Sequence, residues 1–234
     1  MQTFKKLLKK LLGEDFYQRH KRNAIIRVLA GIVATIEGGN LKFLAHFFNT
    51  DKSNSHNYTP IYEQHFRNLR FRRLKILEIG IGGHRNLATG GASLRMWKYF
   101  FPYSMIYGID KYEKQSVEER RIKIFTGDQG NPEFLRQVYH STGTLNVVID
   151  DGSHKCSDVI TSFKTLFPIL VSGGVYVVED THTSYIPKFG GDPHNLNSQT
   201  TSMGFFKSLA DSLHFEDRIA SLHFYHNMVF IYKK

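Results

Sequence analysis

The chain has 234 residues, of which 41% are hydrophobic and 22% charged, a balance typical of one globular domain with a modest extension and not of a disordered or fibrous chain. The lone cysteine, Cys156, excludes an internal disulfide and a zinc site made of cysteines, and no apolar run approaches the ~20 residues of a membrane span. The formal net charge of +10 admits nucleic acid, anionic lipid or phosphorylated molecules as partners, so its distribution along the chain matters.

Much of the excess positive charge lies near the amino terminus. Apolar residues recur there at helical spacing, with lysines between them: Phe4, Leu7, Leu8, Leu11 and Leu12. The pattern predicts a basic amphipathic helix over residues 2–12. Such a helix can make a peripheral contact with an anionic membrane or pack on its own domain, and the sequence leaves both interpretations open.

Two further helical patterns follow, at residues 20–37 and 41–48. We therefore predict a basic helical extension over residues 1–45 and a second domain over residues 46–234. The apolar segment Ala24–Ile36 is interrupted by Arg27 and lacks the features of a secretory signal, so we expect a cytoplasmic protein.

After residue 74, short β-rich runs alternate with helical stretches. The predicted strands are Leu74–Ile79, Met105–Asp110, Ile122–Thr126, Leu145–Asp150 and Val175–Glu179, and the predicted helices lie at about Ser93–Phe101, Pro132–His140, Ser157–Leu170 and Ser202–Leu213. This alternation predicts an α/β fold, a mostly parallel sheet with helices on both faces. The last residues, 221–234, form two β-rich halves around His226 and Asn227, so we expect an antiparallel addition that brings the sheet to seven strands.

A glycine-rich turn follows the first predicted strand. Glu78 is followed by Gly80, Gly82 and Gly83, which allow a tight turn and a close approach of the backbone to a nucleotide-like ligand. The turn is not the G-x-G-x-x-G of dinucleotide-binding proteins, because position 85 is arginine. Ligands of such sheets bind beyond the carboxyl ends of the strands, where this turn lies.

Polar residues also end the second and third predicted strands. Asp110 can accept hydrogen bonds from both hydroxyls of a ribose, and Asp128 and Gln129 can meet the amino edge of an adenine. The alternative for each aspartate is a loop residue that caps the following helix. Together the three positions favour a nucleoside-containing cofactor.

Carboxylates end the fourth and fifth predicted strands, as Asp150-Asp151 and Glu179-Asp180. Because neighbouring strand ends lie ~5 Å apart, Asp151, Glu179 and Asp180 can converge on one point. A divalent cation would relieve their mutual repulsion, and an all-oxygen ligand set favours Mg²⁺. The alternative is that one or two of them cap helices or pair with nearby cations.

Two histidines lie close to this carboxylate group. His154, three residues beyond Asp151, can face the same ion without binding it, and an imidazole is a suitable base for a hydroxyl proton. We therefore predict His154 as the catalytic base. His182 is predicted to contact the substrate instead.

Several motifs, taken together and in this order, resemble the macrolide-sugar O-methyltransferases, a family of class I S-adenosylmethionine-dependent enzymes. They are Thr50-Asp51-Lys52, the run Tyr58–Glu63, the turn Leu77–Gly83, the run Gly90–Trp97, Gly127-Asp128-Gln129, the run Val148–His154, Val178-Glu179-Asp180, Thr183-Ser184-Tyr185 and the run Leu222–Asn227. The resemblance covers roughly residues 46–234.

The resemblance implies a Rossmann-like class I methyltransferase with a defined set of roles. S-adenosylmethionine would be held by Glu78, Gly80, Gly82, Gly83, Ser93, Asp110, Asp128, Gln129 and Asp150. Mg²⁺ would be bound by Asp151, Glu179 and Asp180, catalysis would rest on His154 and Asp151, and the substrate would meet His182 and Tyr185. The substrate would be a sugar hydroxyl of a glycosylated small molecule or glycan, not a nucleic acid, and the enzyme a homo-oligomer.

Three other functions fit parts of the sequence. A catechol-type phenolic O-methyltransferase uses a comparable metal strategy and differs in its acceptor. An RNA methyltransferase would explain the positive charge, but it does not need three carboxylates in one site. A non-catalytic protein at the membrane periphery would explain the basic helix and leave the acidic residues beside His154 without a purpose.

Overall fold

The computed structural model describes residues 39–53, 56–84, 86, 89–215 and 218–234. The helices are α1 (Leu41–Phe48), α2 (Thr59–Phe66), α3 (Ala92–Phe100), α4 (Pro132–Thr142), α5 (Cys156–Leu166) and α6 (Ser202–Phe215). The strands are β1 (Lys75–Ile79), β2 (Met105–Asp110), β3 (Ile122–Thr126), β4 (Leu145–Asp150), β5 (Leu170–Glu179), β6 (Ile219–Tyr225) and β7 (Met228–Lys233).

The strands form one seven-stranded sheet in the order β3-β2-β1-β4-β5-β7-β6. The first five are parallel, and β7 pairs antiparallel with both β5 and β6. This arrangement confirms the predicted Rossmann-like sheet and the terminal antiparallel addition around His226 and Asn227.

The predicted end of one helix and the predicted start of the following strand were wrong. The helix predicted over Ser157–Leu170 ends at Leu166, and β5 begins at Leu170 instead of Val175. A 3-10 turn with Pro168 separates the two elements, because proline cannot continue the hydrogen-bond ladder of the helix. Ser172, Gly173 and Gly174 resemble a turn in the sequence but lie inside the strand.

Contacts within the chain group its residues into two compact units. The first consists of the described residues up to Phe71 together with Arg95–Pro102, and the second of Arg72–Leu94 and Tyr103–Lys234. The domain boundary predicted between residues 45 and 46 stays a prediction.

The first unit is built on buried aromatic rings. Tyr62 packs edge-on against Trp97 with ring centroids 4.8 Å apart, and Phe66 lies 5.7 Å from Phe101. Helix α1 confirms the predicted helix at residues 41–48 and is capped by Asn40, whose side chain accepts the Phe43 amide hydrogen bond at 2.8 Å. Helix α2 was not predicted from the sequence.

The second unit contains the sheet and its hydrophobic core. Alternate residues of the central strands face α4, α5 and α6: Leu77, Ile79, Tyr107, Ile109, Val148, Tyr176 and Val178. The opposite face carries Gly108, where a Cβ atom would meet Leu94 of α3 at 2.9 Å. Strands covered on both faces read as apolar runs, which is why the sequence predicted them.

Two predicted helices, residues 2–12 and 20–37, lie outside the described residues. Within the part of the chain that the structure describes, every helix is too short or too polar to cross a bilayer.

Candidate active site

The predicted site residues lie around the point where the strand order reverses. Strand β1 pairs with β2 on one side and with β4 on the other, and Ile79 and Asp150 are register partners at the carboxyl ends of β1 and β4. In open α/β sheets this crevice binds the ligand. The polar residues that follow β1, β2, β3, β4 and β5 therefore share one edge of the sheet.

The glycine-rich turn after β1 fits closely against the end of β4. A Cβ atom at Gly80 would lie 2.0 Å from the Asp151 carbonyl oxygen, and its φ is +82°. Gly82 also has a left-handed φ, +72°, but no described atom lies within 4 Å of its Cβ position. The turn thus packs on one side and opens on the other, the shape expected of a cradle for a nucleotide-like cofactor.

We expect Gly80→Ala to destabilise the protein much more than Gly82→Ala. The first change adds a backbone collision to the strained φ and should lower the unfolding free energy by roughly 3 kcal/mol and the melting temperature by about 6–12 °C. The second adds strain of about 1 kcal/mol but fills the open side, so binding of the nucleotide-like cofactor should be lost. Thermal unfolding and calorimetric titration test both expectations, and equal destabilisation by the two variants would contradict this description of the turn.

Glu78 and Ser93 form a buried pair beside this turn. Glu78 is fully buried in β1, and the Ser93 hydroxyl at the start of α3 donates to Glu78 Oε2 at 2.8 Å. A carboxylate in this position can receive a cationic group of a ligand. The resemblance predicts that both residues bind the cofactor, and this stays a prediction.

Asp110 joins the ends of β1 and β2. Its carboxylate accepts hydrogen bonds from the Tyr112 amide at 2.8 Å and from the Ile81 amide at 3.5 Å. These bonds hold the half-buried side chain at the edge of the crevice, where a ribose would be bound.

Asp128 carries an ion pair that sequence analysis missed. Lys111 Nζ lies 2.9 Å from Asp128 Oδ2, and the Gly130 amide donates to Oδ1 at 2.9 Å. The hydrogen bond from Lys111 is the main reason that the pKa of Asp128 is lowered, so the carboxylate stays charged. Lys111 follows Asp110 directly, but sequence spacing does not reveal which carboxylate it meets.

The acidic residues at the ends of β1, β4 and β5 form two overlapping groups. Ligand atoms of Glu78, Asp151 and Glu179 lie within 4.8 Å of one another, and so do those of Asp151, His154 and Asp180. Asp151 belongs to both groups. Carboxylate oxygens are the donors that Mg²⁺ prefers, so both groups suit a hard divalent cation. The predicted ligands Asp151, Glu179 and Asp180 are divided between the two groups, with Glu179 beside Glu78 and Asp180 beside His154.

His154 and Asp180 meet across the cluster. His154 Nε2 lies 3.7 Å from Asp180 Oδ2, and both residues have left-handed backbone conformations, with φ of 57° and 52°. The ring of Phe189 packs edge-on against the His154 ring, with centroids 6.4 Å apart. A left-handed φ is uncommon for residues with side chains, and its occurrence at both positions is typical of a functional site.

Asp150 and Gln129 lie deeper than a ligand-contacting role suggests. Asp150 is buried and accepts hydrogen bonds from Gln129 Nε2 and Tyr176 Oη, each at 3.1 Å. Burial raises the pKa of Asp150 to about 7, against the opposite effect of these two hydrogen bonds. The buried Gln129 amide also bonds to Ser162 and to the Ser153 amide, and the assignment of Asp150 and Gln129 to the cofactor stays a prediction.

The predicted substrate residues lie on the turn after β5. His182 is exposed and Tyr185 half-buried on the 3-10 turn Thr181–Tyr185, which directly follows Asp180. The Thr181 amide donates to the Asn227 carbonyl at 3.3 Å, so the hairpin between β6 and β7 helps to hold the turn. Sequence analysis missed this contact, because it joins residues far apart in the chain.

Comparisons with curated proteins show close sequence similarity. The chain is 42% identical to demethylmacrocin O-methyltransferase of Streptomyces fradiae over 94% of its own length and 59% of the relative. It is 43% identical to mycinamicin VI 2''-O-methyltransferase of Micromonospora griseorubida over 76% of its length and 48% of the relative. The chain thus spans about half the length of these relatives. A scan against protein-family models finds no match.

Solved structures show the same similarity. A methyltransferase of the mycinamycin biosynthetic pathway, in complex with Mg, SAH (S-adenosylhomocysteine) and mycinamycin VI, superposes with a TM-score of 0.80 at 43% identity, covering 83% of this chain and 54% of that one. A caffeoyl-CoA O-methyltransferase-like structure from Staphylococcus aureus, at 16% identity and a TM-score of 0.52, shares the fold alone.

Proposed function

This chain is a close homologue of the macrolide-sugar O-methyltransferases, and on this premise we propose that it transfers a methyl group from S-adenosylmethionine to a sugar hydroxyl of a glycosylated natural product, with Mg²⁺ as metal. The observation that carries the proposal is the group of carboxylates around Asp151, with His154 at its side and an open glycine turn next to it.

The proposed roles of the individual residues follow from the geometry of the site. The turn Gly80–Gly83, with Glu78, Ser93, Asp110 and Asp128, would hold the cofactor, and Asp151, Glu179 and Asp180 would hold the metal, with Glu78 near enough to support it. S-adenosylmethionine supplies an electrophilic methyl group, and Mg²⁺ supplies positive charge that makes a nearby hydroxyl easier to deprotonate.

His154 would act as the general base. Its Nε2 faces the carboxylates and can take the proton of the acceptor hydroxyl as that oxygen attacks the methyl carbon, whose bond to sulfur breaks to release S-adenosylhomocysteine. Asp180, 3.7 Å away, would stabilise the imidazolium that forms. Phe189 packs edge-on against the ring.

A sugar acceptor is favoured over a phenolic one by the pattern of similarity. Relatives at 40–43% identity are named for sugars on macrolides and on tetracenomycin, so the scaffold changes while the methylated group stays a sugar. The structure related to phenolic enzymes shares only the fold. His182 and Tyr185 would contact this acceptor.

The proposal also covers the role of residues 2–12 and the oligomeric state. The lysine-flanked apolar pattern supports a peripheral membrane contact, with packing on the protein itself as the alternative. The family resemblance supports a homo-oligomer, and we expect the enzyme to act in the cytoplasm. A glycosylated small molecule is the expected partner.

A methyl-transfer assay tests the function directly. We expect label from S-adenosylmethionine to enter glycosylated acceptors such as mycinamycin VI or L-olivosyl-oleandolide but not the matching aglycones. EDTA should lower the rate roughly 100-fold, and added Mg²⁺ should restore it, because the metal and the base act on the same proton. Label in catechol alone would establish the phenolic alternative, and full activity in EDTA would contradict the proposed metal.

A further inference from the structure

A buried chain of hydrogen bonds connects β5 with the turn that carries Asp151 and His154. Tyr176 Oη donates to Asp150 Oδ2 at 3.1 Å, and Gln129 Nε2 donates to Asp150 Oδ1 at 3.1 Å. Gln129 Oε1 then accepts the Ser153 amide hydrogen bond at 2.6 Å. Tyr176, Asp150 and Gln129 are 0%, 1% and 6% exposed, so water competes little for these bonds.

Both the nitrogen and the oxygen of the Gln129 side-chain amide form hydrogen bonds. Besides Asp150, Nε2 donates to Ser162 Oγ of α5 at 3.2 Å. The Gln129 side chain therefore joins β4, α5 and the turn after β4, although it follows β3. A glutamine held by three separate elements is fixed in one orientation.

Gly152 makes room for this arrangement. A Cβ atom at Gly152 would lie 1.9 Å from Gln129 Oε1 and 3.0 Å from Ile79 Cγ2. The φ of Gly152 lies outside the left-handed region, so space and not backbone conformation requires glycine there. Gly152, which lies between Asp151 and Ser153, thus leaves the space that the side-chain carbonyl of Gln129 occupies.

We propose that Tyr176, Asp150 and Gln129 are positioning residues that set the orientation of Asp151 and His154 through the Ser153 amide. The turn needs such support, because His154 holds a left-handed φ of 57°, which is a strained conformation for a residue with a side chain. This inference rests on the proposed function, since it concerns what Asp151 and His154 do there.

Removal of one hydroxyl tests the inference. In Tyr176→Phe, Asp150 loses a donor while the ring stays, and Tyr107→Phe in β2 removes a hydroxyl from the same face of the sheet as a matched control. We expect Tyr176→Phe to weaken Mn²⁺ binding, measured by electron paramagnetic resonance without substrate, and to lower kcat, each about tenfold. KM for S-adenosylmethionine should change less than about twofold, and Tyr107→Phe should leave all three values near wild type.

A double-mutant cycle tests the contact between Gln129 and Gly152. Gly152→Ala and Gln129→Ala should each weaken Mn²⁺ binding about tenfold. If the Cβ atom acts by displacing the Gln129 amide, Gly152→Ala should have little further effect in the Gln129→Ala background. Independent, additive losses would overturn this part of the inference.

The outcomes separate the inference from the proposed function. Failure of the wild-type protein to bind Mn²⁺ would overturn the proposed function and the inference with it. Wild-type binding with equal Mn²⁺ affinities in Tyr176→Phe and Tyr107→Phe would overturn the inference alone. A lower melting temperature in Tyr176→Phe with unchanged Mn²⁺ affinity would show a merely structural hydroxyl and also overturn it.

Discussion

We expect His154→Asn to lower kcat by about 10²- to 10⁴-fold while S-adenosylhomocysteine and Mn²⁺ still bind. The substitution removes the one imidazole that shares a cluster with Asp151 and Asp180 among the described residues. The cofactor cradle after β1 and the carboxylates stay in place, so binding and chemistry should separate. Single-turnover kinetics with labelled methyl donor measure the chemical step, and calorimetric titration measures binding.

Asparagine is the right replacement because of the backbone at this position. His154 has a φ of 57°, and asparagine tolerates this region better than alanine does, so the turn should keep its shape. His140→Asn, at an exposed position near the end of α4, is the matched control and should keep wild-type kinetics. A kcat for His154→Asn within about threefold of wild type would exclude this histidine as the base.

The sequence predicted the strand ends well, for a physical reason. The central strands are covered on both faces, so they appear as apolar runs, and the polar residue that ends each run marks the edge of the sheet. Asp110, Asp151 and Glu179 were placed in this way, and the strand order brings Asp151 and Glu179 together. Proximity of strand ends was therefore predictable from topology alone.

The direction of individual side chains was not predictable in the same way. Asp150 and Asp151 are adjacent, but Asp150 points into the core because Tyr176 of β5 and Gln129 donate to it. Tyr176 resembles an ordinary core residue in the run Val175–Glu179, and nothing in the sequence marks its hydroxyl as a hydrogen-bond donor to the site. The left-handed conformations of His154 and Asp180 were not predicted from the sequence either.

Helix α2 shows a different limit. Its eight residues, Thr59–Phe66, are too few for a clear helical period, and Pro60 reads as a breaker although it lies in the first turn, where proline is tolerated. Its buried aromatic residues, Tyr62 and Phe66, pack against other aromatic rings, including Trp97. Tertiary contacts, not local preference, stabilise this helix.

Asp151→Asn should produce the other large effect, through the metal. Asp151 is the residue common to both ligand groups, so the change removes one negative charge from each. We expect Mn²⁺ to bind at least 100-fold more weakly and kcat at moderate Mg²⁺ to fall by about 10³-fold. Asparagine has nearly the same shape, so the Asp151 backbone that packs against Gly80 should remain in place.

The dependence on Mg²⁺ concentration distinguishes this defect from loss of the base. A weakened site fills again by mass action, so high Mg²⁺ should recover part of the activity of Asp151→Asn and none of that of His154→Asn. Asp128→Asn, which leaves Lys111 without its carboxylate partner, should raise KM for S-adenosylmethionine and leave Mn²⁺ affinity unchanged. If Asp151→Asn bound Mn²⁺ like wild type, the metal would have to be held by Glu78, Glu179 and Asp180 alone.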